Sequence, residues 1–433
     1  MSRTWVWLTA RLITLSRVYF TFLFAWAILR LLFGDRWWWL FLVNSFAVYL
    51  FAPLPLILLI ALIARRRETW LGFGAVFVLW AYLFSGLFLP KSPQASASDS
   101  ILTVMTYNIL GFNEHPEAVV AAIRTSNADV ITLQELNPLA AEAIQRDLAR
   151  EYPYQALDPQ FGVTGMGVIS RYPLKPSDER LPGETWVGTP QVLLLDFRGT
   201  PVVVLHFHPV PTNLGRRGQM DWSIRERERQ ARSVADFIAA HPGPLIAPVD
   251  LNANDQSAAY DIITDVLVDS WREAGWGLGH TFPGADSPGS SRPQLAGVPV
   301  PMWLARIDHI FHSTHWQATA AWIGPWDGVS DHRPVVARLT LSNNAPMPGG
   351  WIFQHRVMSI AHWLRRVALR IRSMIPWLSN PYVGTRRRAA FQAAVAWAAG
   401  WKPALLQPGD RQTVVVTNQT IALSLESVTV LSR

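Results

Sequence analysis

Cysteine is missing from all 433 residues. Its absence excludes a disulfide framework, a thiolate metal site and a thiol nucleophile, and it leaves the redox compartment unmarked. Charge is scarce as well: Asp, Glu, Lys and Arg make up 16% of the chain. What charge there is falls unevenly. The net +7 conceals nine basic and two acidic residues in 1–91, and eleven and two in 345–433. The remaining 18 basic and 27 acidic residues give segment 92–344 a net −9. A basic total often marks a nucleic-acid binder. Here the basic residues lie in the flanks, and the central segment is acidic.

Two stretches have no charged residue at all, 37–64 and 69–90. Each exceeds the roughly 20 residues that cross a bilayer as a helix. A further span, about 12–33, is interrupted by Arg17 and Arg30 near its ends, where long basic side chains can snorkel to the headgroups. The run Trp37-Trp38-Trp39 suits an interfacial belt. A cleaved signal peptide has one apolar run of roughly 7–15 residues, so the pattern favours about three transmembrane helices. Arg3, Arg11 and the triplet 65–67 place the N-terminus and the second loop in the cytoplasm, since residues 34–36 are nearly neutral. The expectation is a multi-pass cell-membrane protein whose catalytic domain is extracytoplasmic.

Segment 91–100 (KSPQASASDS) reads as a linker between transmembrane helices at 1–90 and a catalytic domain at 101–344. Within that domain apolar β-type runs predominate: ILTVMTYNI, DVITLQEL, GMGVISRYPL, QVLLLDF, PVVVLHFH, PLIAPVDLN, RIDHIFH and HRPVVARLTL. Helices are expected at 116–126 and about 221–240. Strands outnumbering helices point to an α/β fold of two packed sheets flanked by helices, not a doubly wound sheet. Beyond 345, residues 351–378 form a basic amphipathic stretch that fits a membrane-surface helix or a helix packed on the main domain. Residues 411–432 read as a small strand pair.

Acid, amide and imidazole residues stand at the ends of several strands. One such residue alone is usually a cap or turn residue; the set carries the argument. Asn108 and Glu135 supply hard oxygen ligands suited to Mg²⁺ or Mn²⁺. Asp250 and Asn252 alternate at one strand end, so both project to the same side, where they can hold a water and a phosphate oxygen. Asp331 offers a carboxylate to the metal beside His332, an imidazole able to take a proton from water. Asp308 could orient that imidazole through its second nitrogen. His206 could donate to the phosphoryl oxygen or the leaving group; His208, on the same strand face, is its rival, and His206 is preferred.

The segments MTYNI, LQEL, GMGVISRYPL, VDLNAND, RIDHI and SDHRPV, in this order, resemble the endonuclease/exonuclease/phosphatase superfamily over about residues 101–341. The resemblance implies the deoxyribonuclease-I-like two-sheet sandwich, one or two Mg²⁺ ions, and in-line attack of water without a covalent intermediate. It makes Asn108, Glu135 and Asp331 metal-side residues and Asp250 the residue orienting the nucleophile. Asn252 and His206 resemble the phosphate-stabilising pair, and Asp308 with His332 an acid–imidazole dyad. Val249 stands where the family usually has glycine, and Leu110 provides no second acid near Asn108.

The expected activity is therefore that of a membrane-anchored, Mg²⁺-dependent phosphodiesterase or phosphatase. Its partners would be the bilayer and a phosphoester, either a lipid head group or nucleic acid. A DNA endonuclease or exonuclease is one alternative, although a domain at −9 neutralises phosphates poorly. A catalytically inactive membrane scaffold binding phosphorylated ligands is the other; loss of a central residue would favour it, and none is missing.

Overall fold

The computed structural model describes residues 3–89, 100–212, 217–290, 292–295 and 297–341, and three strands between 412 and 431. The linker expected at 91–100, save Ser100, and the amphipathic stretch at 351–378 lie outside the described residues. Residues 1–350 form one compact unit and 351–433 a second.

The first unit begins with helix α1 (Arg3–Phe33). The uncharged stretch 37–64 is not one helix. It divides into α2 (Trp38–Ser45), a 3₁₀ turn at Ala47–Phe51 and α3 (Leu54–Ala64), with Pro53 and Pro55 at the second start. Proline lacks the N–H that an uninterrupted helix would require, and it is tolerated in a first turn. Helix α4 (Arg67–Phe84) follows. Three segments are long and apolar enough to cross a membrane: Arg3–Phe33, Ala47–Ala64 and Arg67–Leu87.

The sandwich is then laid down as β1 (Ile101–Asn108), α5 (Pro116–Ser126), β2 (Val130–Gln134), α6 (Pro138–Leu148), β3 (Tyr154–Asp158), β4 (Met166–Ser170), β5 (Leu174–Pro176), β6 (Gln191–Phe197), β7 (Thr200–His206), α7 (Arg217–Ala240) and β8 (Leu245–Asp250). It continues with α8 (Ala258–Thr264), β9 (Val268–Asp269), α9 (Ser270–Ala274), the short hairpin β10 (Gln294–Leu295) and β11 (Val298–Pro299), then β12 (Asp308–His312), β13 (Trp316–Ile323) and β14 (Val335–Leu341). Local chemistry sets several boundaries. Pro116 and Pro138 occupy first turns, the Asn137 side chain accepts from Ala140 N at 2.8 Å, and Ser257 caps α8 from Tyr260 N.

Two six-stranded mixed sheets result, ordered β13-β14-β1-β2-β4-β3 and β5-β6-β7-β8-β12-β9. Only β1–β2 and β7–β8 are parallel pairs among these strands. Leu102, Val104, Val130, Val168, Leu193, Val204, Ile246, Ile310 and Val335 fill the space between the sheets. Alternate residues of the same strands face outward: Met105, Ile131 and Leu133 meet Val119, Ile123 and Ile144 of α5 and α6, while Leu205, Ala247 and Val249 meet Val234 of α7 and Ile263 of α8. This is the expected α/β sandwich, with helices on both outer faces.

The apolar helices are packed on it. Leu23, Trp26, Phe51, Phe84 and Leu87 belong to one buried cluster that continues through Trp271 into the sheet interior. Polar contacts fix the junction. Asp35 Oδ2 accepts from Ala258 N at 2.6 Å, serving an N–H left free at the start of α8. Arg30 Nη1 donates to Gln256 Oε1 at 2.8 Å, and Gly277 N donates to Leu87 O at 2.7 Å. In the second unit three antiparallel strands, β15 (Gln412–Val416), β16 (Gln419–Leu423) and β17 (Val428–Leu431), replace the expected strand pair.

Candidate active site

Alternation along the strands builds the site. The inward-facing positions of β1 run Leu102, Val104, Thr106, Asn108; those of β8 end on Asp250, and β12 begins on Asp308. The inner faces are thus apolar at one end of the sandwich and polar at the other. Register completes the arrangement, because Asp308 lies directly opposite Asp250 in the antiparallel β8–β12 pair.

Asp250 is the hub. Its Oδ2 takes a hydrogen bond from Asn108 Nδ2 at 3.1 Å and lies 3.3 Å from His208 Nε2 and 3.8 Å from His332 Nε2. Its Oδ1 accepts from Asn252 N at 2.8 Å. His332 Nδ1 donates to Asp308 Oδ2 at 2.9 Å, which leaves Nε2 directed to the hub. Glu135 stands at the next strand end; its Oε1 accepts from Asn108 Nδ2 at 3.0 Å and its Oε2 from Gly111 N at 2.9 Å. Glu135 and Asn252 hold positive φ angles of 58° and 52°. Non-glycine residues rarely adopt that conformation, and its cost is met by the bonds that aim their side chains into the cleft.

Burial dominates the electrostatics. It would push the Asp250 carboxyl up, but the imidazoles of His332 and His208 outweigh it and hold the group below the usual carboxylate range. Burial alone would lower His332; the carboxylates of Asp308 and Asp250 raise it well above its ordinary value, so it stands as an imidazolium donor. That differs from the proton acceptor expected from the sequence. Burial pushes Glu135 up despite the opposing charge of His208 and the hydrogen bonds from Asn108 and Gly111, and Asp331 adds to the rise.

A half-buried and a buried carboxylate, with an amide alongside, make a hard-oxygen set suited to a divalent cation. Glu135 and Asp331 fit that role. Asn108 turns its amide nitrogen toward Glu135 and Asp250, while its Oδ1 accepts from Leu110 N at 3.0 Å. To bind a cation through oxygen it must rotate its amide. Ligand atoms of Asp250, Asp308 and His332 also lie within 4.8 Å of one another. A cation there would compete with the proton that His332 shares with Asp308.

The geometry sets His206 apart from His208. Gln134 Nε2 donates to His206 Nε2 at 2.8 Å, and His206 Nδ1 donates to Gln191 Oε1 at 3.1 Å. Burial, helped by the charge of His208, lowers His206 to about 3. It is a neutral imidazole locked between two glutamines inside the sandwich. His208 instead meets Asp250 and lies 2.9 Å from Asn252 Nδ2, and its Nδ1 is buried with no hydrogen-bond partner among the described residues. The other expected residues, Asn108, Glu135, Asp250, Asn252, Asp308, Asp331 and His332, fall at the same end of the sandwich.

Several supporting groups had no signal in the sequence. Thr281 Oγ1 accepts from Ile307 N at 3.1 Å and fixes the approach to Asp308. Ser330 Oγ donates to Asn108 O and accepts from His332 N, linking two strand ends that are far apart in the chain. The Phe282 ring packs 5.0 Å from that of His332. Behind the site Arg306 is buried between acids, donating to Asp269 Oδ2 at 2.8 Å and lying 3.4 Å from Asp255 Oδ2. Asp255 also pairs with Arg272 at 2.5 Å, and Arg272 donates to Leu83 O of α4.

The family model described as Endonuclease/Exonuclease/phosphatase family matches residues 105–332. No match was found among curated proteins. Among solved structures, an endonuclease/exonuclease/phosphatase family protein from Bacteroides thetaiotaomicron is 17% identical, covering 57% of this chain and 99% of that one at a TM-score of 0.40. One from Beutenbergia cavernae is 23% identical, with coverages of 57% and 73% and a TM-score of 0.39. D. rerio TDP2 complexed with single strand DNA product is 18% identical, with coverages of 56% and 99% and a TM-score of 0.43.

Proposed function

We propose that this chain, which belongs to the endonuclease/exonuclease/phosphatase family, is a membrane-anchored, divalent-metal-dependent hydrolase that cleaves a phosphoester by direct attack of water. One observation carries the reading: a single carboxylate oxygen, Asp250 Oδ2, is approached by Asn108, His208 and His332 at 3.1, 3.3 and 3.8 Å. An anionic acceptor ringed by donors can align water while the donors receive charge from a phosphoryl group.

In this reading Asp250 accepts the hydrogen bond of the attacking water and takes its proton. The water oxygen bonds to phosphorus as the ester oxygen departs with its electron pair. His208, oriented by Asn252, holds a non-bridging oxygen. His332, fixed by Asp308, keeps a proton at Nε2 for the phosphoryl or leaving oxygen. Glu135 and Asp331, joined by Asn108 once its amide turns, are the residues that would hold Mg²⁺ or Mn²⁺. When bound, such an ion supplies charge neutralisation and acidifies water. The helices Arg3–Phe33, Ala47–Ala64 and Arg67–Leu87 would anchor the enzyme, with the arginines of 65–67 cytoplasmic and the sandwich outside.

The metal requirement is tested by dialysing the purified full chain against chelator. Turnover of bis-p-nitrophenyl phosphate should vanish and return on adding Mg²⁺ or Mn²⁺; turnover unaffected by chelator would sink the reading. The two histidines give a second test. His208→Ala should lower kcat/KM by about 10²–10³-fold, as for other donors facing a developing charge. His206→Ala should leave the rate within a few-fold but cost about 1–3 kcal/mol of stability, because it removes one hydrogen-bond partner each from buried Gln134 and half-buried Gln191. The reverse pattern would return the phosphate role to His206.

A further inference from the structure

We infer that the mouth of this site lies on the bilayer surface and that its substrate is a phosphoester carried by a membrane lipid. The inference rests on the hydrolase reading above and deepens it. The domain-side ends of the three apolar segments do not merely precede the catalytic domain. They hold the loops that leave the catalytic strands. Asn254, two residues beyond Asn252, donates through Nδ2 to Ser45 O at 2.5 Å. Gln256 is bonded by Arg30, and Ala258 by Asp35. Leu304 O, four residues before Asp308, accepts from Tyr49 OH at 3.1 Å. The end of α1, the start of the second span and the end of α4 therefore meet the sandwich around its catalytic end.

The same end carries an apolar rim. Phe161 is 88% exposed, Phe112 55% and Val163 43%. Gly111 and Gly162 bring the two loops into backbone contact: a Cβ on Gly111 would lie 2.0 Å from Gly162 O. Gly111 N is also the donor that holds Glu135 Oε2. The aromatic rim thus stands directly on a carboxylate proposed to hold the metal. A third loop joins the rim to the helices, because Gly277 is bonded to Leu87 while a Cβ on Gly289 would run into the Phe112 ring. The segment 277–289 thus runs from the helix junction to the rim.

Large exposed aromatics beside a cleft need an apolar or stacking partner. Nucleic acid is disfavoured as that partner, because segment 92–344 carries a net −9 against a polymer with one charge per roughly 1.7 Å of duplex. A bilayer of zwitterionic lipid meets the rim with hydrocarbon and presents one phosphodiester at a time, and the helices already hold the domain there.

The full chain is reconstituted in phosphatidylcholine vesicles containing phosphatidyl-p-nitrophenol, with Mg²⁺. Water attacks phosphorus, the bond to p-nitrophenol breaks, and phosphatidate remains. Bis-p-nitrophenyl phosphate in the surrounding buffer reports the same chemistry without a lipid. The wild type should hydrolyse both esters. Phe161→Asp with Val163→Asp should lower lipid turnover by at least about 10-fold, equivalent to about 1.4 kcal/mol, while soluble turnover stays within twofold. Equal loss of both turnovers calls for Phe161→Gln with Val163→Gln; that pair must restore the split, or the rim has no membrane role. Undiminished lipid turnover in the aspartate variant overturns the inference. So does a wild type that cleaves the soluble ester but not the lipid, or that nicks plasmid DNA faster than it cleaves lipid. A wild type inert toward every ester would instead fail the hydrolase reading beneath it.

Discussion

Asp250→Asn should reduce kcat for phosphoester hydrolysis by about 10³-fold or more while leaving the protein folded and its KM within a few-fold. The substitution keeps the shape of the side chain and removes its charge. Asn108 and His208 would then point donors at an amide, and His332 would lose one of the carboxylates that raise it. The loss falls on the step in which water must be held and deprotonated, so it belongs in kcat. Steady-state kinetics on bis-p-nitrophenyl phosphate, with a thermal melt as the folding control, measure it. A variant within tenfold of wild type would remove Asp250 from the centre of the site.

Arg306→Met should cost about 3–5 kcal/mol of stability, the range found when one partner is taken from a buried ion pair. Arg306 is 2% exposed and sits between Asp269 and Asp255. Burial would raise the Asp269 carboxyl, and the charge of Arg306 outweighs it and holds that group at about 2. Without the guanidinium both acids face burial with less compensation. They should take up protons more readily, so the deficit should shrink as pH falls. A chemical or thermal melt of the detergent-solubilised protein checks the size of the effect. Adding Asp269→Asn should recover part of it, and a deficit below about 1 kcal/mol would show that the acids find other partners.

The fold was largely legible because its signal is local. Alternation in ILTVMTYN or LIAPVD reads out both faces of a strand, and the same alternation carries Asn108 and Asp250 to the catalytic end. What alternation cannot report is depth. His206 and His208 share a face, but two residues along a strand is roughly 6.7 Å. That distance separates an imidazole wedged between Gln134 and Gln191 from one touching Asp250. Protonation was equally hidden, since His332 is raised chiefly by Asp308 and Asp250, which register and loop closure bring beside it. The division of residues 37–64 was missed for another reason: hydropathy sums over Phe46–Pro53 without noticing that the backbone turns there. The docking of the helices on the sandwich had no periodic signature at all, because it depends on single side chains such as Asp35 and Tyr49.

In the proposed membrane anchor the legs are of unequal length. Ala47–Ala64 offers 18 residues and α1 offers 31, about 27 Å against about 46 Å at an α-helical rise. A hydrocarbon layer of about 30 Å is slightly too thick for one and far too thin for the other. The surplus of α1 begins at Arg3 and includes Trp5, Trp7 and Arg11, with the Arg11 guanidinium 5.3 Å from the Trp7 ring. Those side chains suit the headgroup layer, so the long leg can be trimmed by lying partly along the surface. In the proposed anchor the short leg would be met by local thinning, which would favour the thinner regions of a bilayer.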